Sequence, residues 1–150
     1  MLFADIFDER LIKLDLTGAD KGAVFEELIG EISALKPELN GEAMLAAIQS
    51  REEKMETSVA PGVAVPHGYF SGLNGIIGAV GFSRGGIEYG SRDNKPVHLV
   101  FMLLLGEGAR ENHLRVLSRV LTFVNSGALS YIRDAGTPKK AYDILCRVTP

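Results

Sequence analysis

The sequence predicts a single α/β domain: a mixed sheet of about five strands flanked by helices on both faces. Three observations carry this. A chain of 150 residues is the length of one ordinary domain, with no linker-like stretch or internal repeat to divide it. The run from Leu99 to Leu105 is apolar without interruption, as in a central strand covered on both sides. Segments of helical period alternate with short strand-like segments along the rest of the chain.

The first strand is expected over Arg10–Leu16, where Ile12, Leu14 and Leu16 alternate with Lys13 and Asp15. Thr17 and Gly18 turn the chain. Asp20 has the chemistry of an N-cap for a helix to about Leu35, with Val24, Leu28, Ile32 and Leu35 on one face and Pro37 as its stop. A second helix, capped by Asn40, runs through Met44, Leu45 and Ile48 and places Arg51 near its last turn. Strands are then expected at Gly62–Val65, Ile76–Phe82 and Val97–Leu105. The turn-rich stretch between the last two leaves room for a short edge strand or hairpin at Ile87 and Tyr89. Gly72, Gly75, Gly78 and Gly81 fit no nucleotide-binding pattern and read as turn and tight strand contacts. A helix over about Glu111–Val124 presents Leu114, Leu117, Val120, Leu121 and Val124, a short helical stretch follows near Leu129–Ala135, and Thr137-Pro138 opens a last helix.

Composition narrows the function. The chain is 46% hydrophobic and 23% charged, with a net charge of -3, which disfavours a nucleic-acid partner and suits a basic protein partner. The single cysteine, Cys146, cannot form an internal disulfide, so a reducing compartment, the cytoplasm, is expected, with Cys146 as a packing residue. The apolar run of Leu99–Leu105 is far shorter than a bilayer span of roughly 20 residues, and the acidic start (Asp5, Asp8, Glu9) is unlike a signal peptide.

One segment stands apart. In Val63-Ala64-Val65-Pro66-His67-Gly68, proline stiffens the approach and a glycine-flanked turn is expected to present the His67 ring openly, with Gly68 leaving space for a reactant. Arg51 precedes it and His113 follows it, in the first turn of a helix whose N-terminus favours anions. These three groups suggest a phosphate site. An imidazole with an ordinary pKa of about 6.5 is mostly neutral near pH 7 and can attack phosphorus without a general base. A guanidinium can grip two phosphoryl oxygens at once. His98, inside a strand pattern, reads as structural. Thr57 fits a loop-ordering contact as well as a phosphoryl contact, and Glu52 and Glu53 read as solvent-facing, with one of them in reach of Arg51 or a histidine. The three scattered histidines lack a carboxylate motif and disfavour a metal hydrolase.

Taken together, Arg51-Glu52-Glu53, Pro66-His67-Gly68 and His113-Leu114 resemble the type-2 enzyme IIA domain of the bacterial phosphotransferase system, the fructose/mannitol and nitrogen-regulatory class, over residues 1–150. Ser58 and Ala60 stand where the resemblance would place glycines. The resemblance implies a phosphotransferase component that accepts a phosphoryl group from HPr on His67 and hands it to a cysteine of enzyme IIB, with membrane enzyme IIC an indirect partner. It implies that Arg51 and His113 bind the phosphoryl oxygens; the residues themselves point to no cofactor or metal. It equally admits a regulatory module in which the phosphorylation state of His67 switches a protein partner without sugar transport.

Overall fold

The computed structural model describes residues 3–108 and 110–147. Element by element the order is α1 (Phe3–Ile6), β1 (Phe7–Lys13), α2 (Lys21–Leu35), α3 (Gly41–Lys54), β2 (Ser58–Ala60), β3 (Val63–Ala64), β4 (His67–Asn74), β5 (Ile76–Ile87), β6 (Val97–Glu107), α4 (Arg110–Asn125), α5 (Ala128–Ala135) and α6 (Pro138–Arg147). The sheet has six strands rather than about five, in the order β1-β5-β6-β3-β2, with β4 also paired to β6. β5 runs antiparallel to β6, while β1 is parallel to β5, and β3 and β4 are parallel to β6.

The central position of β6 follows from its composition. Leu99, Phe101, Leu103 and Leu105 pack into a core shared with α4, α5 and α6. Val100, Met102 and Leu104 alternate onto the other face, against Val24, Leu28 and Ile32 of α2 and Met44 and Ile48 of α3. A strand that must be apolar on both sides shows no alternation, which is why its run is continuous. The helix caps follow the sequence. Asp20 accepts from Ala23 N at 2.9 Å, Asn40 from Ala43 N at 3.1 Å, and Thr137 Oγ1 from Lys140 N at 3.2 Å with Pro138 at the first helical position.

Several expectations are corrected. β1 begins at Phe7, not Arg10, because Phe7 pairs with Gly78 and packs edge-on against Phe3 and Phe101 while the polar run Asp8–Arg10 sits on a register shift. Ile87 ends β5 instead of starting a separate edge strand, and Glu88 makes a lone bridge to Asp20. Ser58–Ala60 form strand β2 against β3, with Ser58 held by the Glu56 carboxylate through its N–H and its hydroxyl, both at 2.7 Å. Among the four spaced glycines, Gly75 turns β4 into β5 at a φ of 85°, and Gly78 and Gly81 make room for Phe7 and Leu16.

The main correction concerns His67. It does not lie in a turn but opens β4, an eight-residue strand. β3 and β4 keep one register along β6, Ala64 opposite Val100 and His67 opposite Leu103, so they form one strand interrupted at Val65-Pro66. Proline has no N–H to give the ladder, yet its carbonyl still accepts from Leu103 N at 2.9 Å.

Candidate functional site

Period-two alternation continues through the interruption. Val63 and Val65 face the core under α4, and His67 and Tyr69 point to the same side further along. Gly68 and Phe70 face α3. Gly68 does not serve as open space for a reactant, as the sequence suggested. A Cβ there would lie 2.6 Å from the Ala47 carbonyl oxygen and 2.9 Å from Ile48 N, so the missing side chain lets α3 rest on β4. Ala47 is one helical turn before Arg51. The glycine thus sets how near Arg51 comes to His67.

His67, Arg51 and His113 line one open depression of about 370 Å³, together with Lys54, Tyr69 and Leu114. β4 supplies the first, α3 the second and the first turn of α4 the third. All three predicted residues therefore meet, at the edge of β4 not paired with β6. Each is half-buried. The ring of His113 lies 6.4 Å from that of Tyr69, tilted by 46°. Arg51 donates from Nη1 to the Met55 carbonyl at 2.9 Å, which caps the end of α3 and fixes one edge of the guanidinium.

The decisive detail is at the imidazole. His67 Nδ1 lies 2.9 Å from the carbonyl oxygen of Val65. A carbonyl only accepts, so Nδ1 carries the proton and Nε2 carries the lone pair. Burial pushes the His67 pKa below its usual value, and the Arg51 charge pushes in the same direction, against the Val65 hydrogen bond and the Glu52 charge, which raise it. His113 is likewise lowered, first by burial and then by His67. Both rings are thus neutral near pH 7. The site offers one nucleophilic nitrogen, one ring N–H donor and a guanidinium, a set suited to a phosphoryl group in transit.

Behind Arg51 lies a polar network that the sequence did not reveal. Glu52 is buried at 7% exposure rather than solvent-facing. Its carboxylate accepts from Thr57 N at 2.9 Å and Thr57 Oγ1 at 2.7 Å, and from Tyr89 OH at 3.2 Å, and pairs with Lys21 Nζ at 3.1 Å. Thr57 is buried too, 2.8 Å from Tyr89 OH, and belongs to this network rather than to the depression. Burial beside the Glu52 charge pushes the Tyr89 phenol far above its usual value. One signal for Glu52 was available: Met44, Ile48 and Glu52 recur every fourth residue, so Glu52 continues the apolar face of α3. Glu53 is exposed, and Lys54 adds a second cation at the depression.

The other candidates lie elsewhere. His98 is on β6, with Nδ1 2.8 Å from the Ser83 carbonyl oxygen. Cys146 is half-buried in α6. Among the described residues no three histidine, cysteine or acidic side chains cluster to hold a metal ion, and no helix is long and apolar enough to cross a membrane.

Comparison with known proteins agrees with this geometry. Residues 5–147 match the family described as phosphoenolpyruvate-dependent sugar phosphotransferase system, EIIA 2. The chain is 32% identical over 124 residues to the fructose-specific EIIABC component of Bacillus subtilis, covering 83% of this chain but only 20% of that much longer protein. It is 27% identical to the nitrogen regulatory protein of Pseudomonas aeruginosa, covering 90% of this chain and 88% of the relative. The crystal structure of nitrogen regulatory protein IIA-Ntr from Neisseria meningitidis superposes with a TM-score of 0.86 at 28% identity, over 95% of this chain and 97% of that one.

Proposed function

The chain belongs to the EIIA type-2 family of the phosphoenolpyruvate-dependent sugar phosphotransferase system, and on that premise we propose that residues 1–150 act as one phosphoryl carrier domain, accepting the group from phospho-HPr on His67 and passing it to a cysteine of enzyme IIB, with enzyme IIC served indirectly. The observation that carries the reading is the Nδ1–H bond to Val65, which leaves Nε2 as the free nucleophile in a depression open to visiting proteins.

The step balances without a general base. The Nε2 lone pair forms a bond to phosphorus as the N–P bond of the donor phosphohistidine breaks and its electron pair returns to the donor ring. The His67 ring gains positive charge, and the Nδ1–H···O=C bond to Val65 strengthens as it does so. Arg51 and the N–H of His113 meet the negative charge on the equatorial oxygens. The dianion then draws a proton toward His113, whose depressed pKa rises beside it. Attack by a thiolate on phosphorus in the second step releases the neutral imidazole again.

Incubation with phosphoenolpyruvate, enzyme I and HPr tests the reading: an acid-labile phosphate appears on the protein and is absent from the His67→Ala variant. Label retained by that variant relocates the acceptor. A second reading, a regulatory module, is favoured by the near end-to-end match to nitrogen regulatory proteins. Transfer of the label onward to an enzyme IIB cysteine supports the carrier, and its failure with every IIB of the host supports the regulator.

A further inference from the structure

At the other end of β6, His98 repeats the local chemistry of His67. Its Nδ1 donates to the Ser83 carbonyl at 2.8 Å, so in the neutral ring Nε2 keeps its lone pair, and no hydrogen bond engages Nε2 among the described residues. The register puts His67 opposite Leu103, five residues along β6 from His98, or about 17 Å at the usual rise of a strand.

His98 lines a depression of about 430 Å³ whose walls include Arg84, Arg133 and Phe82. The same three residues also wall an adjoining depression of about 480 Å³, which continues toward Lys13, Asp15 and Glu31. The two form one groove, of the size that holds a small metabolite, about 300–1,000 Å³.

The charges around it are not equally committed. Lys13 is held by Glu31 at 3.1 Å and Glu27 at 3.4 Å, and Arg10 is chelated by Asp8. Arg84 makes no ion pair or hydrogen bond among the described residues. Arg133 pairs with its chain neighbour Asp134 at 3.0 Å, with both side chains more than half exposed, a contact that water and salt weaken and an anion can displace. Two guanidiniums, one from β5 and one from α5, are therefore available to one anion beside an unengaged imidazole nitrogen. Guanidinium forks match phosphate oxygens, and the imidazole can accept from a hydroxyl. Beyond them, the Asp15 carboxylate offers acceptors that suit hydroxyls and repel a second anion.

We propose that this groove binds a small phosphorylated polyol of the sugar-phosphate class, through Arg84, Arg133 and His98, at a site separate from the phosphoryl-accepting depression. The proposal does not depend on the relay reading. Its shared chemistry with inorganic phosphate sets the arms of the test.

His67→Ala protein, labelled with ¹⁵N in its imidazoles, is titrated at low salt with a hexose 6-phosphate, with inorganic phosphate and with the free hexose. The hexose phosphate is expected to shift the His98 ring signals and saturate by about 10 mM, with inorganic phosphate weaker by about tenfold and the free hexose silent. Arg84→Ala and Arg133→Ala should each weaken binding by about tenfold or more. His113 signals report the other depression separately. The proposal is overturned by an unmoved His98, by equal binding in the Arg84→Ala/Arg133→Ala protein with a native amide spectrum, or by inorganic phosphate binding as tightly as its ester.

Discussion

Replacing Gly68 by alanine isolates the contact that sets the width of the site. The added methyl would start 2.6 Å from the Ala47 carbonyl oxygen and 2.7 Å from its carbon, where ordinary contact begins near 3.4 Å. Both obstacles are helix backbone, so no side chain can rotate away. α3 and β4 must part by about 0.8 Å, the difference between 3.4 and 2.6 Å. Overpacking of this kind costs about 1–3 kcal/mol, while Gly→Ala at a permitted φ returns about 0.4–1 kcal/mol through the unfolded chain. The overpacking term wins. A net loss of about 1–2 kcal/mol lowers Tm by roughly 2–8 °C for a domain of this size.

On the proposed phosphoryl transfer, the effect on rate is expected to exceed the stability loss. Arg51 stands four residues beyond Ala47, about 6 Å along the helix, and moves with it. A misplacement near 1 Å can slow a positioned reaction by about a hundredfold. Rapid-quench phosphorylation by phospho-HPr, at a temperature well below both melting points, separates the two effects. Gly68→Ala is expected to be at least about tenfold slow although fully folded. A variant with wild-type rate and wild-type Tm would refute the claim that this helix–strand contact sets the site.

Three further outcomes follow from the same geometry. Arg51→Lys keeps the charge but loses the fork; one charge-assisted hydrogen bond, about 1.5–3 kcal/mol, predicts transfer slower by roughly tenfold to a hundredfold in the same quench assay. Because burial and Arg51 depress the His67 pKa, the ring stays neutral as pH falls below the usual value of about 6.5, and phosphorylation is expected to fail only on passing the lowered value; an acid-limb midpoint at or above 6.5 contradicts this. Glu52→Gln removes a charge that holds that pKa up, so the midpoint should move further down, and loss of hydrogen bonds to a charged acceptor should cost about 1.5–3 kcal/mol in urea unfolding. An unmoved midpoint removes Glu52 from any influence on the ring.

What the sequence made legible is what a residue type states locally. β6 was visible because a strand between two helical layers must be apolar throughout, and the caps at Asp20 and Asn40 were visible because capping is a contact over three residues. β4 was not. Its sequence, His67–Asn74, holds two glycines and an exposed outer half, and it becomes a strand only because β6 supplies its ladder. The Glu52 network was hidden for the same reason: Lys21, Thr57 and Tyr89 come from three distant segments, and in sequence the Arg-Glu-Glu run has the appearance of a solvated helix end.

The interruption at Pro66 links these levels. Residues of one strand present their backbone groups alternately to either side. Gly62 and Pro66 give their carbonyls to β6, while Val65 turns its own away and donates its N–H to the Thr57 carbonyl at 2.9 Å. β2 begins one residue after Thr57, so among the described residues no further strand lies beyond Val65 to claim its carbonyl. That oxygen is taken by His67 Nδ1 instead. The edge of the sheet thereby fixes the tautomer of the ring, and the buried Glu52–Thr57 pair, which anchors the residue opposite Val65, fixes the edge. The His67 ring and the Arg51 guanidinium are thus positioned by one connected framework, with Glu52 bound to Thr57 on one side and adjacent to Arg51 in the chain on the other. A change at Glu52 should accordingly disturb both partners at once, which a substitution at Arg51 alone cannot do.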